Sequence, residues 1–507
     1  MPYSSKESQI NETLNVLLSF GVEIEEVKSG LKNISVLPGI IDYCQKKTAD
    51  PKSDLTDLLF SYYILGQALS TKRCLTTSPA EVQFNSGDVW LEVLCYRKIF
   101  ELFERVLERK IVSLFRSALM FKYQAHVHLG NLYDHYGRFQ DAFHQYMLAA
   151  QLNAGDYMWE YNVGFALAST HGYYERRVEG SIIAYAKSIL QKYLDKPETM
   201  QSCQEIYSRL EHIQVPPIDK DIEVSYPDSE KGAYNRWVNK HRLRLNAYND
   251  INPYSKNAQD DSLFPQGVFS PKSDVEFGNR IFALYNGIKQ EYVSARYMLY
   301  CYFENSGKRH FSDDNVILAD NNDYANYSYN LEMAKSSFRS LYSILDKIAF
   351  IINEYLSIGL EYKQVAFSSI WYTDKSRVIL REEIISNKSV YSLAGLFFIR
   401  NDIYGGGNDF VQDFGASLLN PIRNAMEHRS IRIVDSGDMD DGGYILTISR
   451  ASFEQAAFCL IRSVRQAIFC LTNMINHIEY DKKQKIGELG QLIVSQHAAV
   501  IDDKDKI

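Results

Sequence analysis

The chain has 507 residues, a formal net charge of −8 and a hydrophobic share of 46%. Its length exceeds one ordinary hydrophobic core, so roughly two to four domains are expected. The apolar and aromatic content excludes an unfolded chain, and the acidic balance excludes a generally basic coat, so that any nucleic-acid surface must be local.

In chain order, the start MPYSSKESQI carries no apolar run after its lysine, so no signal peptide is expected. Residues 1 to about 50 form an undefined cap in which VEIEEV and ISVL suit short strands or parts of helices. Residues 57–69 are apolar at helical spacing, and TTSPAEVQFNSGD at 76–88 breaks the pattern as a loop. Residues 90–119 then read as one long amphipathic helix.

The clearest repeat follows. Leu129, Gly130, Tyr133, Gly137, Phe139, Ala142, Tyr146 and Ala149 fall at the offsets of a tetratricopeptide unit. Gly130 and Ala142 let two helices approach, Gly137 turns the chain, and Phe139, Tyr146 and Ala149 fill the next layer. Gly164 lies one repeat length after Gly130, with Val163 and Leu167 continuing the pattern. HGYYERRVEGS disturbs this second unit and delays its second helix to about 181–194. Because about three or more repeats are needed for a stable stack, other N-terminal helices are expected to serve as further units.

The acidic, proline-containing stretch from Val215 to Ser229 reads as a linker, and LFPQGVFSPKSD at 263–274 as a loop. Between them YNRWVNKHRLRLNAYND suits a short docking helix, with its basic residues as an alternative stripe for a nucleic-acid backbone. Helices are expected at 278–305, over the long periodic run 325–355, from 389 to 398 onward, at 409–429 and at 453–477. GGGND is punctuation and no phosphate loop, since no GK[ST] follows. IRIV and YILTI, divided by DSGDMDDGG, read as a hairpin with an acidic turn. No apolar stretch approaches about 18 residues, so no membrane span is expected. Seven scattered cysteines show neither a CxxC pair nor ligand spacing, which points to a reducing compartment without a zinc site.

Chemistry concentrates in LLNPIRNAMEHRSIRIV, residues 418–434. Arg423, Asn424, Glu427, His428 and Arg429 fall within seven residues. Asn420-Pro421 suits an N-cap followed by a first-turn proline, which would put Arg423 among unpaired backbone N–H groups. The other reading starts the helix near Asp409 and kinks it at Pro421. Arg423 and His428 are separated by about 7.5 Å along a helix and about 140° around it, so a phosphate addressed by both needs the reach of the arginine. Asn424 with His428, and Arg423 with Glu427, stand at i,i+4 and also suit an ordinary hydrogen-bonded pair and a surface ion pair.

RNAMEH matches the R-x4-6-H signature of the HEPN superfamily in its R-N-x-x-x-H form, and RNAMEHRSIRI resembles the LA2681-like branch. YNRWVNKHRLRLNAYND, KQEYVSARYMLY and YSILDKIAFIINEYL are similar to that branch as well. The resemblance covers roughly residues 230–480.

That resemblance implies metal-independent RNA cleavage through attack of the ribose 2′-OH. His428 would move protons, because histidine is the side-chain type suited to proton transfer near neutral pH. Arg423 would supply a permanent, planar charge to phosphoryl oxygens, and Asn424 would orient the imidazole or donate to phosphate. One histidine cannot act as base and acid at once, so two copies facing each other in a homodimer are expected. Glu427 is expected to support the site, Arg429 and Arg432 to touch RNA or remain solvated, and Asp346 to orient His428 or Arg423. Asp346 and Lys347, polar in an otherwise apolar helix, suit a buried ion pair within the bundle better still. Arg462 and Arg465, three apart, would line the groove or form ion pairs. No metal and no cofactor are expected.

The expected fold is all-α: tetratricopeptide-like repeats over 1–215, a linker and docking segment over 216–275, a HEPN helical bundle with a small β-hairpin insertion over 276–485, and a charged tail over 486–507. The expected function is a cytoplasmic endoribonuclease, acting as a regulated toxin or antiphage effector, with its repeats receiving a protein or peptide cue. The alternative is a non-catalytic RNA- or nucleotide-binding or dimerising scaffold.

Overall fold

The computed structural model describes residues 37–76, 84, 87–196, 200–213, 222–271, 273–319, 324–387, 390–405, 414–437, 439–489 and 494–497, with three residues of the last seven. VEIEEV, all of ISVL but Leu37, residues 77–83 and 85–86 of the 76–88 loop, the expected boundary at 215/216 and GGGND beyond Gly405 lie outside the described residues. The fold is mainly helical, with one small three-stranded sheet and one two-stranded ribbon. It divides into two compact units, Met1–Val163 with Gly405–Val411, and Gly164–Tyr404 with Gln412–Ile507.

The first unit contains α1 (Leu37–Ala49), α2 (Leu55–Thr76), α3 (Gly87–Glu108), α4 (Val112–His135) and α5 (Phe139–Leu152), each packed on the next or next but one. The single helix expected over 90–119 is two. Lys110 takes a left-handed φ of 53°, and the amides of Lys110 and Ile111 donate back to the carbonyls of Leu107 and Val106. That pattern is a Schellman ending formed without glycine, which leaves no sequence signal. The expected glycine-terminated turn does form at Gly137, where φ is 66° and the Gly137 and Arg138 amides donate to Asp134 and Tyr133. A Cβ at Gly130 would stand 2.5 Å from the Tyr146 ring, so only glycine admits this approach of α4 to α5. His126 is held between helices: it is buried, bonded to Gln145 at 2.7 Å and stacked on Phe100.

In the sequence, α6 (Met158–Ala168) crosses the division between the units. In the second unit α7 (Arg176–Leu190) begins five residues earlier than the expected 181, because the Glu175 carboxylate accepts from the amides of Arg177 and Val178 and caps it. Then come α8 (Met200–Glu211), α9 (Glu230–Lys240), α10 (Tyr248–Ile251) and β1 (Gly267–Ser270).

The bundle consists of α11 (Phe277–Glu304), α12 (Tyr329–Tyr355), α14 (Tyr391–Tyr404), α15 (Phe414–His428) and α16 (Arg450–Leu489), with the short α13 (Glu382–Ile385) beside it. α16 packs against the other four long helices. It is long and apolar enough to meet a membrane-span test, but 78% of that apolar window is buried inside the fold. Its buried face includes Phe453, Leu460, Val464, Phe469 and Met474.

Residues 234–263 dock on this bundle through buried ion pairs. The Arg296 guanidinium spans both Asp261 oxygens at 2.8 Å, and Arg465 spans both Asp250 oxygens at 3.0 and 2.7 Å. Burial works against the Asp261 carboxylate, yet Arg296 and Arg244 outweigh it and hold its pKa below the ordinary range. The basic text there therefore folds the segment down. Arg244 is buried against Asn239 and Asn235, and His241 lies 4.9 Å from the Phe458 ring.

The small insertion between α15 and α16 holds β2 (Ser430–Val434), β3 (Asp440–Asp441) and β4 (Ile445–Ser449), in the order β2-β4-β3. The hairpin is the β3–β4 pair. The two longer strands, IRIV and YILTI, run parallel, with Ser430 opposite Ile445 and Val434 opposite Ser449. β3 thus lies on the far side of β4 from β2. The charged tail also contributes structure, since β5 (Val494–His497) pairs antiparallel with β1.

Candidate functional site

Helix α15 continues through Pro421. Leu418, Leu419, Ile422, Ala425 and Met426 form a buried stripe that packs against α12, α14 and α16. Burial of that stripe outweighs the helix-interior proline penalty of about 3 kcal/mol. The Asn420 N-cap expectation is thus overturned: Arg423 sits inside a helix and not at its anion-binding start.

Arg423 is half-buried. Its Nη1 donates to Asn424 Oδ1 at 3.1 Å, and its guanidinium carbon lies 5.7 Å from the Tyr342 ring centre on α12. Asp346, one turn further along α12, accepts from the Phe367 amide at 2.9 Å. Burial raises the Asp346 pKa, while the Phe367 amide and the charge of Arg423 partly offset it. Asp346 therefore lies within electrostatic reach of Arg423. Among the described residues it makes no hydrogen bond to Arg423 or His428.

His428 ends α15 with its side chain exposed. Neither i,i+4 pair expected on this helix forms. Asn424 accepts from Arg423 instead of holding His428, and the exposed Glu427 makes no ion pair with Arg423. The arginine turns inward to the Tyr342 face, away from Glu427.

Sequence reasoning missed Arg339. Its Nη2 donates to the Met426 carbonyl at 3.4 Å, one of the last-turn carbonyls that a helix end leaves without an amide donor. Arg339, Tyr342 and Asp346 stand at i, i+3 and i+7 on α12, and all three face α15. That spacing was readable in the sequence, but nothing there said which helix the stripe would meet. The result is a second guanidinium on the last turn of α15, where His428 is also found.

The remaining candidates separate from this group. Arg429 is held by Asp441, at 2.5 and 3.3 Å, and by the Gly443 carbonyl at 2.7 Å. Arg432 donates to Thr447 Oγ1 at 2.9 Å across the parallel strands. Lys347 pairs with Glu291 on α11. Arg462 and Arg465 do not line one groove: Arg462 is exposed, whereas Arg465 is buried on Asp250 and stacks on Phe469. A three-residue step leaves the two side chains about 60° apart around the helix, so Arg462 stands at the solvent edge of the face that buries Arg465. Among the described residues no three His, Cys, Asp or Glu side chains gather as a metal site.

The arrangement offers a permanent planar cation, a second guanidinium on the same face and a solvent-accessible imidazole. These are the parts needed to hold a phosphodiester and move one proton at it. No curated protein and no solved structure matches the chain. Residues 273–478 match the LA2681-like HEPN family, which puts them in a superfamily of ribonuclease or nucleotide-binding domains. The motif helix and the bundle around it fall inside this segment, so the part of the chain that is similar to the LA2681-like HEPN family is the part that holds the site.

Proposed function

We propose that this protein is a metal-independent endoribonuclease. The observation that carries this reading is the pairing, on one helix, of an Arg423 anchored by Asn424 with an exposed His428. The ribose 2′-oxygen loses its proton to a base and bonds to phosphorus. The bond from phosphorus to the 5′-oxygen breaks, and that oxygen takes a proton. The products are a 2′,3′-cyclic phosphate and a 5′-hydroxyl, so atoms and charge balance without a further reactant. Arg423 stabilises charge on the non-bridging oxygens. His428 serves one proton transfer, and His428 of a second copy in a homodimer serves the other. Asn424 positions Arg423, and Asp346 tempers its charge.

The N-terminal helices, with a tetratricopeptide-like unit at 112–152, would receive a protein or peptide cue. A regulated toxin or antiphage effector in the cytoplasm suits a nuclease that must be kept idle. One observation favours the second reading, a non-catalytic RNA-binding or dimerising scaffold: His428 is exposed, and among the described residues Asn424 bonds Arg423 and does not hold the imidazole.

The test is purified protein on mixed cellular RNA in EDTA, wild type against His428→Ala. Cyclic-phosphate fragments that depend on His428 are the expected result. Equal fragments from both proteins would sink the assignment, and RNA binding without cutting would put the scaffold first.

A further inference from the structure

The insertion sheet contains a feature that the proposed chemistry does not use. Tyr444 is 89% exposed, the most exposed aromatic side chain among the described residues. It is not on a loose loop. Its carbonyl accepts the Ser430 amide at 3.0 Å, and Ser430 is two residues beyond His428. Its own amide donates to the Gly442 carbonyl, and the Gly442 amide donates to Ile445, closing a tight turn. Gly443 supplies the left-handed φ of 79° which that turn needs. Arg429 then clamps it, with Nη1 on both the Gly443 carbonyl and Asp441. A large ring is thus presented to solvent on a braced backbone tied to the end of the motif helix.

We propose that Tyr444 is a stacking platform for one unpaired nucleobase of a single-stranded RNA bound at the His428 end of α15. The inference rests on the ribonuclease reading and deepens it by naming how the strand is seated. An aromatic face accepts any base, because every base has a π-face, and its contribution does not need sequence-specific hydrogen bonds. The charges sort the strand in the same sense. Arg423 and Arg339 offer cations on the α12–α15 face. The turn around Tyr444 carries exposed Asp440 and Asp441, with only Asp441 neutralised by Arg429. A phosphate is drawn to the helix face and repelled from the turn, so the turn receives the base. Arg429, expected from the sequence to touch RNA, acts on this view through the turn it holds.

The test uses the full-length protein and 2′-O-methyl single strands of mixed sequence, which lack the attacking hydroxyl and cannot be cut. Binding is measured in EDTA for wild type, Tyr444→Ala and Tyr444→Phe, on normal strands and on abasic strands of the same length. Tyr444→Ala is expected to weaken binding to normal strands by roughly 5- to 150-fold. Tyr444→Phe is expected to bind as wild type does, and all three should bind abasic strands alike. Equal binding of normal strands by wild type and Tyr444→Ala overturns the platform and leaves the nuclease reading standing. A loss on abasic strands as large as on normal ones, accompanied by a change in sedimentation, makes Tyr444 a protein contact and overturns the platform as well. If the folded wild type binds no strand of either kind, the ribonuclease reading falls and takes the platform with it.

Discussion

The Arg423 guanidinium sits 5.7 Å from the Tyr342 ring centre and donates to its own neighbour Asn424, leaving Glu427 alone. Two χ-rich degrees of freedom are thereby fixed by a ring face and an amide oxygen, and the remaining N–H donors keep a planar array. A lysine at this position would keep the charge and lose the fork and the stacking. Arg423→Lys is expected to lower single-turnover RNA cleavage by about 100-fold, the scale for removing one preorganised donor. Its far-ultraviolet spectrum should be unchanged. Cleavage within a few-fold of wild type would show that only net charge matters there.

Arg339 bonds a helix-end carbonyl through one nitrogen, which leaves its other donors for an anion. If it touches one phosphate, Arg339→Ala should flatten the dependence of log affinity on log salt by about 0.7 for a single strand. Arg339→Lys should keep most of that slope. A pure capping role predicts the opposite split: lower thermal stability in Arg339→Ala and an unaltered salt slope, read from titrations at several ionic strengths.

Much of this architecture was legible because its signals are local. The apolar stripe of α12, the glycine turn at Gly137 and the apolar stripe of the motif helix each appear as spacing within one element. What escaped depends on partners distant in sequence. Arg465 and Arg462 look alike as text, and only Asp250, 215 residues away, turns one of them inward. The α3–α4 break at Lys110 uses a left-handed lysine that costs about 1 kcal/mol and shows no glycine. The parallel β2–β4 pairing looked like a hairpin because alternation reports strand faces and says nothing of direction. At the site, the RNxxxH spacing named Arg423 and His428 but could not tell that Arg339 arrives from another helix.

The first unit carries opposed pH dependences. Among the described residues the Asp134 Oδ1 is shut off from solvent with no hydrogen-bond partner, and burial pushes that carboxyl up to about 7. Its folded pKa lies above the unfolded value, so its stability is fully present below about 3.9 and is lost as pH rises through 7. Burial brings His126 and His135 down to about 4, so their contribution is present above about 6.5 and is lost as pH falls toward 4. Asp134→Asn should therefore stabilise the protein at pH 8, on the order of 2 kcal/mol, and by progressively less at pH 5. Thermal melts of both proteins across that range would show it. A gain independent of pH would mean the carboxyl is not protonated on folding.

Arg465 and Asp250 test whether residues 234–263 are part of the bundle or merely lean on it. Both are buried, and Arg465 also donates to the Arg244 carbonyl at 2.8 Å and stacks on Phe469 at 4.8 Å. Removing one member strands the other as an uncompensated buried charge. Arg465→Ala is therefore expected to cost about 3–5 kcal/mol, whereas Arg462→Ala, exposed three residues earlier, should stay within about 0.5 kcal/mol. Adding Asp250→Ala to Arg465→Ala should cost less than the sum of the two single changes, because the stranded charge is removed with its partner. Denaturant titrations of the four variants measure this. A small loss in Arg465→Ala, with new protease cleavage inside 234–263, would mean that the segment detaches and the bundle stands without it.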